Sequence, residues 1–167
     1  MSVTSSLTSA ELFAELYAWI KGVAGDGVEV IQSHQDAPAP SGHYLAIEYE
    51  GSWSKVGGTS HMAHSAPALP SPNVHLYEGQ VQVWEVDGLG DILRDIVESV
   101  DRMAAAFESR GFSVLRAEGP TAMPTLDGDR HWRREHILTL RMLWARGDEG
   151  TTEYIETADI QQVTPEE

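Results

Sequence analysis

The sequence predicts an α+β fold, a mostly antiparallel β-sheet with two helices packed on one of its faces. Three observations lead there. A long amphipathic helical pattern runs from Leu89 to Gly111, period-two alternation marks segments on both sides of it, and the connections between consecutive strands are short. In chain order the elements read helix, three strands, long helix, two strands and an acidic tail. Residues 1–146 are expected to form one domain with a long loop at 56–73, and residues 147–167 an acidic C-terminal arm.

The first helix begins at Thr8, which caps it, with Glu11 closing a capping box and Leu7 able to staple onto Leu12. Leu12, Phe13, Leu16, Tyr17, Trp19, Ile20 and Val23 continue its apolar face, and Gly22, Gly25 and Gly27 end it. Val28 to Gln32 is a short strand. His43, Leu45, Ile47, Tyr49 and Trp53 fall on one side of the next strand, with Glu48 and Glu50 on the other. From Lys55 to Asn73 the pattern is lost among glycine, serine and proline, which predicts a long loop. Pairing resumes from His75 to Val86, where Tyr77, Val81 and Val83 oppose Glu78, Gln80 and Gln82 and Trp84 breaks the alternation.

In the long helix, Leu89, Ile92, Leu93, Ile96, Val97, Val100, Met103, Ala104 and Phe107 recur at three- and four-residue spacing. Gly111 is placed to take the left-handed conformation that closes it. A helix of about 22 residues spans roughly 33 Å, enough to cross a small sheet. Phe112 to Ala117 follows as a strand and Gly119 to Asp129 as an irregular loop. A last long strand from His131 to Ala145 carries Trp132, Leu138, Leu140, Met142 and Trp144 towards the core. Its other side mixes Arg133, Glu135 and Arg141 with Ile137 and Leu143. Those two apolar residues are either isolated exposed side chains or anchors of a subunit interface.

With 26 acidic against 11 basic residues the chain carries a formal charge of −15, which argues against sequence-independent binding to a phosphate backbone. A soluble, self-repelling surface accounts for this; a protein that works beside DNA without adhering to it would show the same balance. No run approaches the 18 consecutive apolar residues of a membrane-spanning helix, and Met1 to Leu7 lacks the features of a secretory signal. The absence of cysteine removes disulfides and thiolate metal sites.

Catalytic patterns are weak. His61 and His64 bring two imidazoles close in the long loop but have no evident third ligand, so neither a metal nor another cofactor is expected. His131 and His136 lie on opposite faces of their strand. Gly88-Leu89-Gly90-Asp91 resembles an anion-binding turn but lacks the further residues of a phosphate loop, and the start of a helix explains it better. No nucleophile motif is present, and no enzymatic activity is expected.

Several stretches together resemble the neck and tail-terminator proteins of tailed bacteriophages. They are Val28-Glu29-Val30-Ile31, the run Gln35 to Gly42 into His43-Tyr44-Leu45-Ala46-Ile47, Gly79 to Trp84, the helix from Asp91, Gly111 to Gly119, Trp132-Arg133-Arg134-Glu135, and Thr152-Glu153-Tyr154-Ile155-Glu156. The likeness covers roughly residues 10 to 161. It implies a tail-terminator-like fold and a structural virion protein, assembled in the host cytoplasm, whose hexameric ring caps the tail tube and joins it to the head-to-tail connector. Genomic DNA would pass through that ring without specific binding. In such a ring, Ile137, Leu143, Tyr154 and Ile155 are the expected subunit contacts, and Glu48 and Glu50 the expected lumen or partner contacts. Another neck component, such as a head-completion or adaptor protein, is the nearer alternative, and a metal-binding protein using His61 and His64 the farther one.

Overall fold

The computed structural model describes residues 8–33, 38–49, 53–59, 73–126, 128 and 131–148. It is α+β, as the alternating and helical periodicities predict. The elements are α1 (Ser9–Ala24), β1 (Glu29–Gln32), β2 (Tyr44–Glu48), β3 (Ser54–Thr59), β4 (Asn73–Val86), α2 (Asp91–Ser109), β5 (Phe112–Ala122), β6 (Thr125–Leu126), β7 (Trp132–Arg133) and β8 (Glu135–Asp148). The main sheet has the order β1-β2-β4-β8-β5, with β3 also paired to β4, and β6 pairs β7 separately.

Helix α1 starts as its capping box requires. The Glu11 N–H donates to Thr8 Oγ1, and the Thr8 N–H donates 2.7 Å to Glu11 Oε2. Its C-terminal end is closed by Lys21, whose Nζ donates to the carbonyls of Gly25 and Val28. Leu12, Leu16, Trp19 and Ile20 are buried, and with Leu93, Ile96 and Phe107 of α2 they cover a single sheet face. That face is built from Leu45 and Ile47 of β2, Val81 and Val83 of β4, and Leu138, Leu140, Met142 and Trp144 of β8. Trp19 meets Phe107 edge-on with centroids 4.9 Å apart, and its indole Nε1 donates 2.9 Å to Ser99 Oγ, so the two helices are tied by both apolar and polar contact.

Several boundaries differ from the sequence reading. Helix α2 begins at Asp91, so Leu89 lies outside it and is 59% exposed, and Ala104 also faces solvent. The first residues of the expected 56–73 loop form β3, with a register shift between Lys55 and Gly57 that lets a glycine-containing segment stay on the edge of β4. Residues 60–72 lie outside the described residues. Strand β5 continues to Ala122 through the expected loop, absorbing Gly119 and Pro120 in an irregularity between Glu118 and Thr121. β1 runs parallel to β2, whereas the short connections between strands predict antiparallel pairing. Strand β8 extends to Asp148, two residues into the expected acidic arm, the rest of which is outside the described residues.

β2 and β3 lie in succession along one edge of β4, with Glu48 opposite Gln82 and Ser54 opposite Glu78. Opposite the gap between them sits Gly79. A Cβ there would lie 2.6 Å from Cδ2 of Trp53, so the bare backbone is what lets the Trp53 indole lie flat on β4 and meet Trp144 edge-on.

Candidate interaction surfaces

Because side chains alternate along a strand, the residues left over from the buried set of β8 point to the face away from the helices. Ile137, Thr139, Arg141 and Leu143 form this row, beside Trp84, Gln82, Gln80 and Glu78 of β4. Ile137 and Leu143 thus share the open face and are half-buried, separated by roughly 20 Å of strand. Between them lies a charged network. Arg141 is 3.4 Å from Glu118 and 3.9 Å from Glu78, and Arg116 is 3.3 Å from Glu118. These pairs are solvent-exposed and contribute little to stability. A shallow groove beside them is lined by Ser54, Val56, Glu78, Gln80 and Arg141.

At the other end of the same face, Tyr44, Ala46 and Val86 are buried and pack with Ile31 and Trp84. This small second cluster is why Trp84 departs from the polar pattern of β4. Glu48 lies on this face beside Gln82, as the alternation predicts. Glu50, Tyr154 and Ile155 lie outside the described residues, as do His61 and His64. Among the described residues no group of three or more histidine or acidic side chains is placed to hold a metal.

A second surface contains Trp132, which the alternation of the last strand assigns to the core. β5–β6 and β7–β8 are one antiparallel ribbon in continuous register: Ala122 faces His136, the Met123 N–H donates to the Glu135 carbonyl, Thr125 faces Arg133 and Leu126 faces Trp132. β4 stops at Val86, opposite Glu135, so the outer part of the ribbon runs past the end of the sheet. Trp132 therefore has no core beneath it and is 72% exposed, which corrects its placement in the core-facing set. Leu126 and Met123 are exposed with it. The ribbon is held at its base by Asp87, whose N–H donates 2.8 Å to the Arg134 carbonyl and whose carboxylate is 3.3 Å from Arg133.

The third grouping lies where β4 turns into α2. Glu85 points to the helix face and is 1% exposed; its Oε1 is 3.0 Å from His43 Nε2, and its Oε2 accepts the Leu93 N–H at 3.4 Å. The N-cap residue of α2 is Gly90, with no side chain to offer, so Glu85 supplies the carboxylate that the helix N-terminus favours. Gly88-Leu89-Gly90-Asp91 is thus the start of a helix, as the sequence reading prefers, and the carboxylate at that start is the chain's own Glu85. Gly88 is needed because a Cβ there would meet Glu85 Oε1 at 2.0 Å, and Gly90, at φ +79°, packs against the His136 ring.

Among known proteins, no family model matches this chain and no curated relative matches it.

Proposed function

We propose that this protein is a structural subunit of the neck of a tailed bacteriophage, assembling as a hexameric ring that terminates the tail tube and joins it to the head-to-tail connector. The resemblance in sequence suggests the reading, and one structural observation supports it. A single subunit leaves two unlike surfaces uncovered: the sheet face bearing Ile137 and Leu143, and the ribbon bearing Trp132. Closed rings are built from such heterologous contacts, in which one patch meets a different patch on the next copy.

The charge fits a DNA conduit. Six copies at −15 each carry roughly ninety formal negative charges before screening, so DNA passing through is repelled rather than held. Glu48, on the open sheet face, and Glu50 are the candidate acids for the lumen or a partner ring. Native mass spectrometry over a concentration series, with negative-stain imaging, tests the proposal. A hexamer seen as a ring supports it, and a chain that stays monomeric both alone and with tail tubes overturns it. Binding to the head-side ring in preference to the tube would move the assignment to another neck component.

A further inference from the structure

We propose that β3 is the seat of a strand supplied by a second copy of this chain, residues 151–157, added along its free edge. The inference rests on the ring reading above and names a contact that would join neighbouring copies in it.

A strand paired on one side only leaves alternate backbone N–H and C=O groups on the other, and an extended segment can satisfy them. Among the described residues the main sheet ends on β1, β5 and β3. β1 is four residues long, and the carbonyls of Val28 and Val30 beside it accept from Lys21 and Tyr17 of α1. β5 is broken between Val114 and Arg116 and again between Glu118 and Thr121, and Pro120 has no N–H to give. β3 pairs β4 alone, is irregular once, at Val56, and runs in register from Gly57 to Thr59. β2 and β3 lie in line along β4, but β1 flanks only β2, from Glu29 beside Tyr44 to Gln32 beside Ile47. The row outside β2 and β3 is thus half filled, and one more strand would complete it. Beside the gap, Val56 is 52% exposed at the rim of the groove it shares with Ser54 and Gln80.

Where the chain leaves the described residues selects the occupant. β8 ends at Asp148, opposite Asn73, and residues 149–167 follow it in sequence. Their first part, Thr151-Thr152-Glu153-Tyr154-Ile155-Glu156-Thr157, is rich in β-branched and aromatic residues and has no proline, a composition that suits a strand, and Gly150 separates it from β8. Tyr154 and Ile155 are large enough to cover Val56 as cross-strand neighbours. The same chain's β3 is the wrong acceptor. Thr59 pairs next to Val74 and Asn73 pairs with Asp148, so β3 ends and β4 begins at the end of the sheet where β8 leaves. To reach the outer edge of its own β3, the tail would have to cross the β3–β4 connection at that end, and connections at one end of a sheet do not cross. The β3 edge of a neighbouring copy carries no such obstacle. Each copy then gives a strand and receives one, so the contact runs head to tail, as a closed ring requires.

The test uses the full-length chain, with self-association followed by sedimentation velocity and folding by circular dichroism. Glu153→Pro with Glu156→Pro removes N–H groups from both sides of the added strand, because the two positions differ by an odd number, and takes away no apolar contact. This pair is expected to weaken association roughly tenfold or more, whereas Glu153→Ala with Glu156→Ala is expected to leave it within about twofold of wild type. A photo-crosslinker in place of Val56, in a mixture of isotopically light and heavy chains, is expected to give light–heavy products joined within residues 151–157. Association that the proline pair leaves unchanged, an alanine pair as weak as the proline pair, or crosslinks confined to single chains or to other segments would overturn the strand exchange, while a persisting ring would leave the ring reading in place. A wild-type chain that never associates would overturn both.

Discussion

The Glu85 carboxylate of β4 caps α2, accepting the Leu93 N–H at 3.4 Å while His43 sits 3.0 Å from its other oxygen. One buried side chain thus ties β2's approach, the end of β4 and the start of the long helix. Glu85→Ala removes the acceptor and leaves the helix N-terminus and His43 without it, at an expected cost of about 2–3 kcal/mol. Glu85→Gln keeps an acceptor and costs less. Urea unfolding of the two variants checks both the size and the order.

Gly88 belongs to the same contact. Gly88→Ala would place a Cβ 2.0 Å from Glu85 Oε1 and 2.6 Å from His43 Nε2, so the pair must separate. The expected loss is about 1–3 kcal/mol. In a Glu85→Ala background the nearer obstruction is gone and only His43, released from its partner, has to give way, so the same glycine substitution is expected to cost measurably less.

Between the helices, Ser99 is 5% exposed and accepts from the Trp19 indole. Ser99→Ala leaves a buried N–H without its acceptor and is expected to cost about 1–3 kcal/mol. Trp19→Phe removes that donor, so Ser99→Ala should cost less when made on top of it. A double-mutant cycle by chemical denaturation reads this difference.

The hydrogen bonds from Thr8, the backbone one foremost, hold the Glu11 carboxyl below the ordinary glutamate value. A depressed acid stabilises the fold at pH values above its unfolded-state value and loses that contribution as pH falls through the folded one. The thermal midpoints of wild type and Glu11→Gln should therefore differ at neutral pH and converge on acidification below the ordinary glutamate range. Convergence at alkaline pH instead would contradict the capping box as the cause.

Trp132 and Trp144 sit on the same stretch of sequence and are expected to behave oppositely. Trp144→Ala opens the core and should cost about 3–5 kcal/mol, whereas Trp132→Ala should leave stability within about 0.5 kcal/mol and weaken self-association. Leu143→Ala is expected to act like Trp132→Ala if the open sheet face joins copies. Unchanged assembly in Leu143→Ala and Ile155→Ala would remove these residues from the interface.

Local periodicity carried much of the fold. The capping box at Thr8 and Glu11, the buried stripe of α2 around Leu93, Ile96 and Phe107, and the set Leu138, Leu140, Met142 and Trp144 are all readable from spacing, because each depends only on which side of an element its neighbours share. The open face bearing Ile137 and Leu143 follows from the same parity. Gly88 and Gly90 signalled a turn, but not what the turn would enclose.

What tertiary structure alone decided is where a partner strand stops and which distant groups meet. Trp132 continues the alternation of β8, yet it is exposed because β4 ends opposite Glu135; periodicity states which way a side chain points and not whether anything lies beneath it. His43 and Glu85 are 42 residues apart, and β1 lies parallel to β2. Such pairings leave no local signal, since their free energy arises only when chain segments that are independent in sequence are brought together and dried.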